Sequence, residues 1–598
     1  MRLKFNIFAH LFNEFVLFLN LFSYYNTSSV FNCGGKFLNY TKLLTCASAL
    51  ATSFGLFVSS GNAAFATTKT AQKTVKTNKK AAEKTDATDE KKISSDEPTD
   101  NKKRQPTQIT TSYEIMTKVA GDKNYKVWQS VSGGKVHKKV ADGINFRYAH
   151  IQSNQSIKTK KYTYWLIYVN GRRVGWVNEN YFARNVIEAA KSVTLVRNDS
   201  PDGDYSTQNA ISFATDATGT VVENQDVSVS RSKIDASKPK TYNVKYTYGS
   251  AKTTVKFTVR KSTKEGMDNS ADSVVAKKGP SSYDSWSKHY GASINYLSPQ
   301  ESTPETKLHT YSANGLTLTT KLYQPVFLSV QTSADDGPIN RVGHIPEGVT
   351  VSNNWAYTSL LSTTDDMKGH IVGYDLSNLT DPYEAQYLTD TSKMSQKRFN
   401  NYVQNIKVSP YIPVGHGQAL GSTDKYVYAL VNDHTQHQTD YSEELVQIRK
   451  SDMCINKIWT VKTWNNGNSE DSRYYQNAVV VDDHTMYGLY FDKNKNQYEY
   501  WKLTRKGDNW YSELVGATEG TIVKGNAPVQ GFTYDPVNKN FYIGFNDVIA
   551  KIGYDGTFKN GYQINTGREI EGLSISNNRL YVNLAQRAEL LESNKLTN

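Results

Sequence analysis

The sequence predicts a mostly-β, multidomain chain that ends in a five-bladed propeller, and three observations carry that expectation. One pattern returns five times in the C-terminal half. Glu571-Gly-Leu-Ser-Ile-Ser-Asn-Asn-Arg-Leu-Tyr581 reads almost in register with Glu347-Gly-Val-Thr-Val-Ser-Asn-Asn-Trp-Ala-Tyr357, and looser copies run from Gln418 to Tyr428, Gln476 to Tyr487 and Gln530 to Tyr542. The copies begin 71, 58, 54 and 41 residues apart, and such periods point to small sheets that bury both faces only by stacking on their neighbours around an axis. Upstream, short strand-like runs are separated by turn residues, most clearly at Asn170-Gly171, where both turn positions favour positive φ. Finally, 40 tyrosines in 598 residues suit a β-rich chain, and a mean hydropathy of −0.60 excludes a polytopic membrane protein.

The first 66 residues read as a leader. Residues 43–66 hold an apolar core preceded by Lys36 and Lys42 and followed by Ala64-x-Ala66, the parts of a secretory signal, with cleavage expected after Ala66 and no stable membrane span thereafter. Residues 67–110 carry 11 Lys/Arg against 7 Asp/Glu with almost no aromatics. Such a segment buries too little apolar surface to fold and is expected to be a solvated spacer. Cys33 and Cys46 lie in the leader, which leaves Cys454 alone in the mature chain; a disulfide framework and a cysteine zinc site are excluded. The final residues contain no Leu-Pro-x-Thr-Gly motif, so noncovalent retention is expected of an exported protein.

Residues 111–186 form a small basic domain with 13 Lys/Arg against 4 Asp/Glu, whereas residues 306–598 hold 27 against 31. The net charge of +13 is thus concentrated in one place, and its partner is expected to be a polyanion met outside the cell rather than nucleic acid. Tyr164-Trp-Leu-Ile-Tyr-Val169, the Asn-Gly turn, Arg172-Arg-Val-Gly-Trp-Val177 and Asn178-Glu-Asn-Tyr-Phe182 resemble the GW modules, SH3-like barrels of bacterial surface proteins. The resemblance implies retention on lipoteichoic acid or another anionic wall polymer, with Trp176, Arg172, Arg173, Tyr164, Lys160 and Lys161 as candidate contacts. For Trp176 a core position is the alternative.

Residues 187–262 contain five short runs, closing with Tyr242–Tyr248 and Thr253–Val259 around Gly249-Ser250. Their spacing suggests a β-sandwich, and the closing pair resembles bacterial Ig-like repeats; the expected role is a stalk. Residues 263–305 read as a linker that packs in part against the next domain.

The propeller spans residues 306–598. The fifth copy reaches the end of the sequence before its outer strands are supplied, so Leu316–Gln331 is expected to complete that blade and close the ring, removing exposed sheet edges. Six blades are the alternative. Val342-Gly-His-Ile-Pro-Glu-Gly348, Val414-Gly-His-Gly-Gln418, Val529-Gln-Gly-Phe-Thr-Tyr-Asp535 and Glu569-Ile-Glu-Gly-Leu573 resemble blade starts of helveticin J-type bacteriocins, which implies an extracellular antibacterial or surface-associated protein.

Five equivalent residues, Glu347, Gln418, Gln476, Gln530 and Glu571, would ring one mouth of the axial channel with His344 and His416 beside them. They would form a polar site for a glycan or a cation, or else cap backbone amides and hold blades together. The leading expectation is a surface-binding or bacteriocin-like protein with no enzymatic chemistry, cofactor or metal. Two rivals are a propeller glycosidase using Glu347 and Glu571, with Asp335, Asp336, Asp365 and Asp366 as further carboxylates, and a glycan-binding adhesin using mouth aromatics such as Trp355. Carboxylate spacing separates them, because glycoside hydrolysis needs two acids roughly 5–9.5 Å apart. The loop Asp433-His-Thr-Gln-His437-Gln-Thr-Asp440 is read as an exposed polar loop rather than a metal site.

Overall fold

Asn353 and Asn354 both take positive φ (50° and 59°), as do Asn577 and Asn578 (52° and 60°). Asparagine tolerates this region better than most residues, and the pair makes the two-residue hairpin turn the repeat implies. Ser352 pairs with Trp355 across one turn and Ser576 with Arg579 across the other. The computed structural model describes residues 107–115, 125–146, 151–169, 172–197, 204–261, 267–268, 271–284, 304–325, 345–361, 368–388, 394–431, 443–465, 472–524, 527–585 and 588–597. All of them belong to one unit, Ser95–Asn598. The leader and the spacer read from the sequence lie outside the described residues.

Five antiparallel sheets follow one another in the C-terminal half. The first begins with Ile345–Ser352, Trp355–Leu361 and Lys368–Asp375. The second runs Leu420–Ser422, Tyr426–Val431, Glu443–Arg449, Ile455–Val461. The third spans Asn477–Asp482 to Asn509–Glu519 and the fourth Gly531–Asp535 to Phe558–Gln563. The fifth takes Ile570–Ser576, Arg579–Leu584 and Glu589–Lys595 from the end of the chain. It is completed by Leu316–Tyr323, which pairs with Glu589–Lys595, and by Thr310–Ala313 outside it. The opening strands of the five sheets neighbour one another in a closed cycle, with Ile345–Ser352 lying against Ile570–Ser576.

The expected closure strand is therefore in place over residues 316–323, while residues 326–344 lie outside the described residues. Glycine makes the cycle tight. A Cβ on Gly348 would sit 2.4 Å from the Gly417 carbonyl oxygen, and one on Gly572 would sit 2.6 Å from the Val349 nitrogen. Each directly follows the repeated glutamate, so the repeat's Glu-Gly pair combines a buried acid with a close backbone crossing.

Residues 107–178 form one six-stranded antiparallel sheet, ordered Thr107–Ile115, Ile151–Lys158, Thr163–Val169, Arg172–Asn178, Lys126–Ser132, Lys135–Asp142. Val169 pairs with Arg172, as a two-residue turn at Asn170-Gly171 requires, although the turn itself lies outside the described residues. Among the described residues no pairing joins Thr107–Ile115 to Lys135–Asp142, so the sheet is open where a closed barrel was expected.

The stalk reading does not survive. Ser192–Leu195 pairs in parallel with Ala251–Val259 on one side and with Ile455–Val461 on the other. The upstream sheet and the second sheet of the ring thereby become one eight-stranded sheet. The outer strand of a propeller blade presents unpaired backbone groups, and here that edge is filled by the neighbouring region. Thr460 Oγ1 accepts from the Val196 amide at 2.7 Å, and the Ile455 amide donates to Ser212 Oγ at 2.9 Å. A single apolar core runs from Val193, Tyr246 and Phe257 into Val427, Val446 and Ile458. The six-stranded sheet is likewise joined to the ring: Val127, Trp165 and Ile167 share a core with Leu376, Phe399 and Ile406. The segment expected to link these parts packs against the ring, with Met267 pairing with Trp464 and Tyr283 with Val523.

Candidate functional site

The closed cycle brings the repeated acids and amides together at one end of the axis. Glu347 and Glu571 are each 4% exposed, Gln530 is buried, Gln418 is half-buried, and Gln476 is exposed. Gln418 Nε2 donates to Gln530 Oε1 and to Glu571 Oε2, both at 2.9 Å. Gln530 Nε2 passes the chain on to Glu569 Oε1 at 2.9 Å. Glu347 and Glu571 lie close enough to act on each other's protonation. Glu347 Oε2 finds no hydrogen-bond partner among the described residues, and His416 Nε2 stands 4.0 Å away.

Burial sets the protonation of this cluster. Loss of water pushes the Glu347 carboxyl up to about 8, and the negative charge of Glu569 adds to the rise. Glu571 is raised well above the ordinary carboxylate range, first by burial and then by Glu347 and Glu569. Two neighbouring acids cannot both ionise cheaply out of water, so both carboxyls hold their protons more tightly than an ordinary carboxylate. Burial lowers His416, which keeps it neutral there. The backbone beneath is fixed: Asn583 Nδ2 donates to the Glu347 carbonyl at 2.6 Å, Gln324 Nε2 to Asn583 Oδ1 at 2.7 Å, and Ser359 Oγ to the Gly417 carbonyl at 2.6 Å.

Four of the five repeated residues thus converge, and Gln476 stands apart from the hydrogen-bonded group. His416 is adjacent, whereas His344 lies outside the described residues, as do Asp335, Asp336, Asp365, Asp366 and the Asp433–Asp440 loop. Glu569 is the member that sequence reading missed; it stands two residues before Glu571, just ahead of the strand Ile570–Ser576. Trp355 is not at this mouth. It follows the far end of the opening strand, stacked on Tyr357 with Lys407 Nζ 4.5 Å from its ring. Among the described residues no group of three or more His, Cys, Asp or Glu is arranged to hold a metal ion.

In the six-stranded sheet the candidate wall contacts separate into two groups. Trp176 and Tyr164 are core residues, packed with Val131, Ile157 and Leu166; a β-strand alternates its faces, and both point inward. Arg172 is spent on the joint with the ring, donating from Nη1 to the Met394 carbonyl at 2.6 Å with its guanidinium 5.1 Å from the Phe399 ring centre. Arg173, Lys160 and Lys161 are exposed, together with Lys126, Lys135 and Lys138. Lys161 Nζ lies 5.2 Å from the ring centre of Tyr162, which is itself exposed.

Residues 107–183 match the family model described as the GW (Gly-Tryp) dipeptide domain. No curated protein matches the chain. Among solved structures, it is similar to the β-propeller domain of Cps50 (Swd1) from Myceliophteria thermophila, at 11% identity over 43% of this chain and 68% of that one, with a TM-score of 0.23. It is also similar to BamB from Moraxella catarrhalis, at 11% identity over 48% and 82% with a TM-score of 0.21. The glutaminyl cyclase of Myxococcus xanthus aligns at 10% identity over 42% and 91%, with a TM-score of 0.25.

Proposed function

We propose that this chain is an exported Gram-positive surface protein, held noncovalently on an anionic wall polymer by its GW segment and presenting a five-bladed propeller as a binding platform. The observation that carries this reading is the GW match over residues 107–183, whose exposed Arg173, Lys160, Lys161, Lys126, Lys135 and Lys138 offer positive charge. Lipoteichoic acid and wall teichoic acid supply the complementary phosphates. Five sheets in a closed cycle support the blade count. The blade-start motifs support a helveticin J-like ring, and bacterial antagonism is the activity that likeness suggests. The axial geometry favours binding over glycoside hydrolysis, because both acids are buried and Glu571 is already bonded to Gln418.

The test is sedimentation of the full chain with purified cell walls, with and without their teichoic acids, across a salt series. Retention should fall with salt, since exposed charges are screened beyond about 8 Å at physiological strength, and should fall when the anionic polymer is stripped. Retention indifferent to both would overturn the reading.

A further inference from the structure

A cavity of about 290 Å³ opens between the fourth and fifth sheets, away from the axis and from the GW segment. Among the described residues, its walls carry Lys551, Lys559 and Lys595 and no carboxylate. This is unexpected in a region whose net charge is negative. Lys551 is only 5% exposed, and its Nζ has one protein acceptor in the cavity wall, the Thr597 carbonyl at 2.8 Å. Burial, and then the neighbouring Lys559 charge, push its pKa down, as expected of a cation that lacks a counter-charge. Asp535 is close enough to act on it, but that carboxylate is taken by the amides of Val537 and Asn538 and by Asn538 Nδ2. Lys559 and Lys595 are exposed, and neither forms an ion pair among the described residues.

The rest of the wall is held by the protein itself. Asn314 Nδ2 donates to the Gly561 carbonyl at 2.7 Å, and Asn594 Nδ2 donates to the Gly315 carbonyl at 3.0 Å. Asn594 Oδ1 accepts the Thr317 amide at 2.9 Å. These bonds tie the closure strand to its neighbours, so the cavity is shaped before any ligand arrives, and its spare donors are the ammonium groups. A buried cation is costly unless paired, and three around one polar cavity define a site for negative charge.

We propose that this crevice is an oxyanion-binding site, taking a phosphate ester or a sugar carboxylate between Lys551, Lys559 and Lys595. Both ligands present charge-assisted acceptors of the size an ammonium reads. The site does not depend on the GW segment, and it would give the ring its own hold on an acidic polyol or saccharide.

Calorimetric titration of the full chain with glycerol phosphate, and separately with glucuronate, at low salt tests the proposal. Binding of at least one is expected, and which one binds identifies the source of the oxyanion. Replacing the two exposed lysines together, K559A/K595A, should weaken binding by at least about tenfold without moving the melting temperature. K551M should abolish it. Binding of neither probe overturns the proposal, as does binding left unchanged by K559A/K595A, a variant that keeps the test valid even if K551M fails to fold. A K160E/K161E variant should bind both probes as the parent does. If it alone loses binding, the anion sits on the GW segment and the crevice site is wrong, while the wall-binding reading stands.

Discussion

At the axis of the ring, two carboxyls are buried out of contact with water; at its rim, three ammonium groups face a cavity whose described walls hold no carboxylate. Both clusters lie at joints between sheets, yet they are satisfied in opposite ways. The axial acids are closed in a network in which Gln418 bonds Glu571 and Gln530, and Gln530 bonds Glu569. The rim lysines are open, with only the Thr597 carbonyl reaching one of them. Repetition delivers side chains to equivalent places, but burial and partners decide whether those places become mortar or docking points. The axis is built as mortar and the rim as a docking point.

The sharpest way to break this comparison is to open the ring. Deleting Thr310–Tyr323 strips the fifth sheet of its two outer strands and removes one wall of the rim cavity. The variant should lose cooperative unfolding and aggregate, which light scattering and calorimetry would register; an unchanged melting transition would refute the closure. Next in size is Trp176→Ala. Emptying a buried tryptophan site costs about 3–5 kcal/mol, so denaturant midpoints should drop sharply, with wall retention lost only as the segment unfolds.

A smaller effect is expected from E347Q/E571Q, and its sign depends on pH. Both carboxyls bind protons more tightly in the folded chain than in the unfolded one, where they titrate near 4.5. The parent therefore loses stability as pH rises from about 4.5 through about 8. The variant removes that loss and should exceed the parent by about 1–3 kcal/mol at pH 9, while differing little at pH 4. Parallel stability curves across that range would show that folding does not raise the two acids. The smallest change in stability belongs to K160A/K161A/R173A. Exposed substitutions of this kind stay within about 0.5 kcal/mol, yet wall binding should weaken and its salt dependence flatten. If retention is untouched, the exposed basic face is not the contact.

Much of the ring was legible because its signals are local. Glu-Gly followed by alternating residues and Asn-Asn marks an opening strand, its tight crossing and its turn, all within eleven residues. Closure by Leu316–Tyr323 could be inferred because the fifth copy lacked partners. The joint between Ser192–Leu195 and Ile455–Val461 was not legible: it is made by backbone hydrogen bonds between segments some 260 residues apart, and a ladder leaves no side-chain signature. Trp176 was ambiguous because a Gly-Trp hairpin reads alike whether its ring faces polymer or core. The axial cluster was half legible. The repeat supplied four members, Glu569 stands outside the repeated positions, and the repeat could not foretell that Gln476 would stay outside.

The eight-stranded sheet also has a mechanical consequence. A pull between the region around Thr241–Val259 and the ring is carried by Ser192–Leu195, whose ladder lies edge-on to both neighbours. Several hydrogen bonds then share the load in shear instead of opening one at a time. The basic face of Lys160 and Lys161 is locked to the first sheet through Arg172 and Phe399. Force arriving there passes to the ring through those contacts.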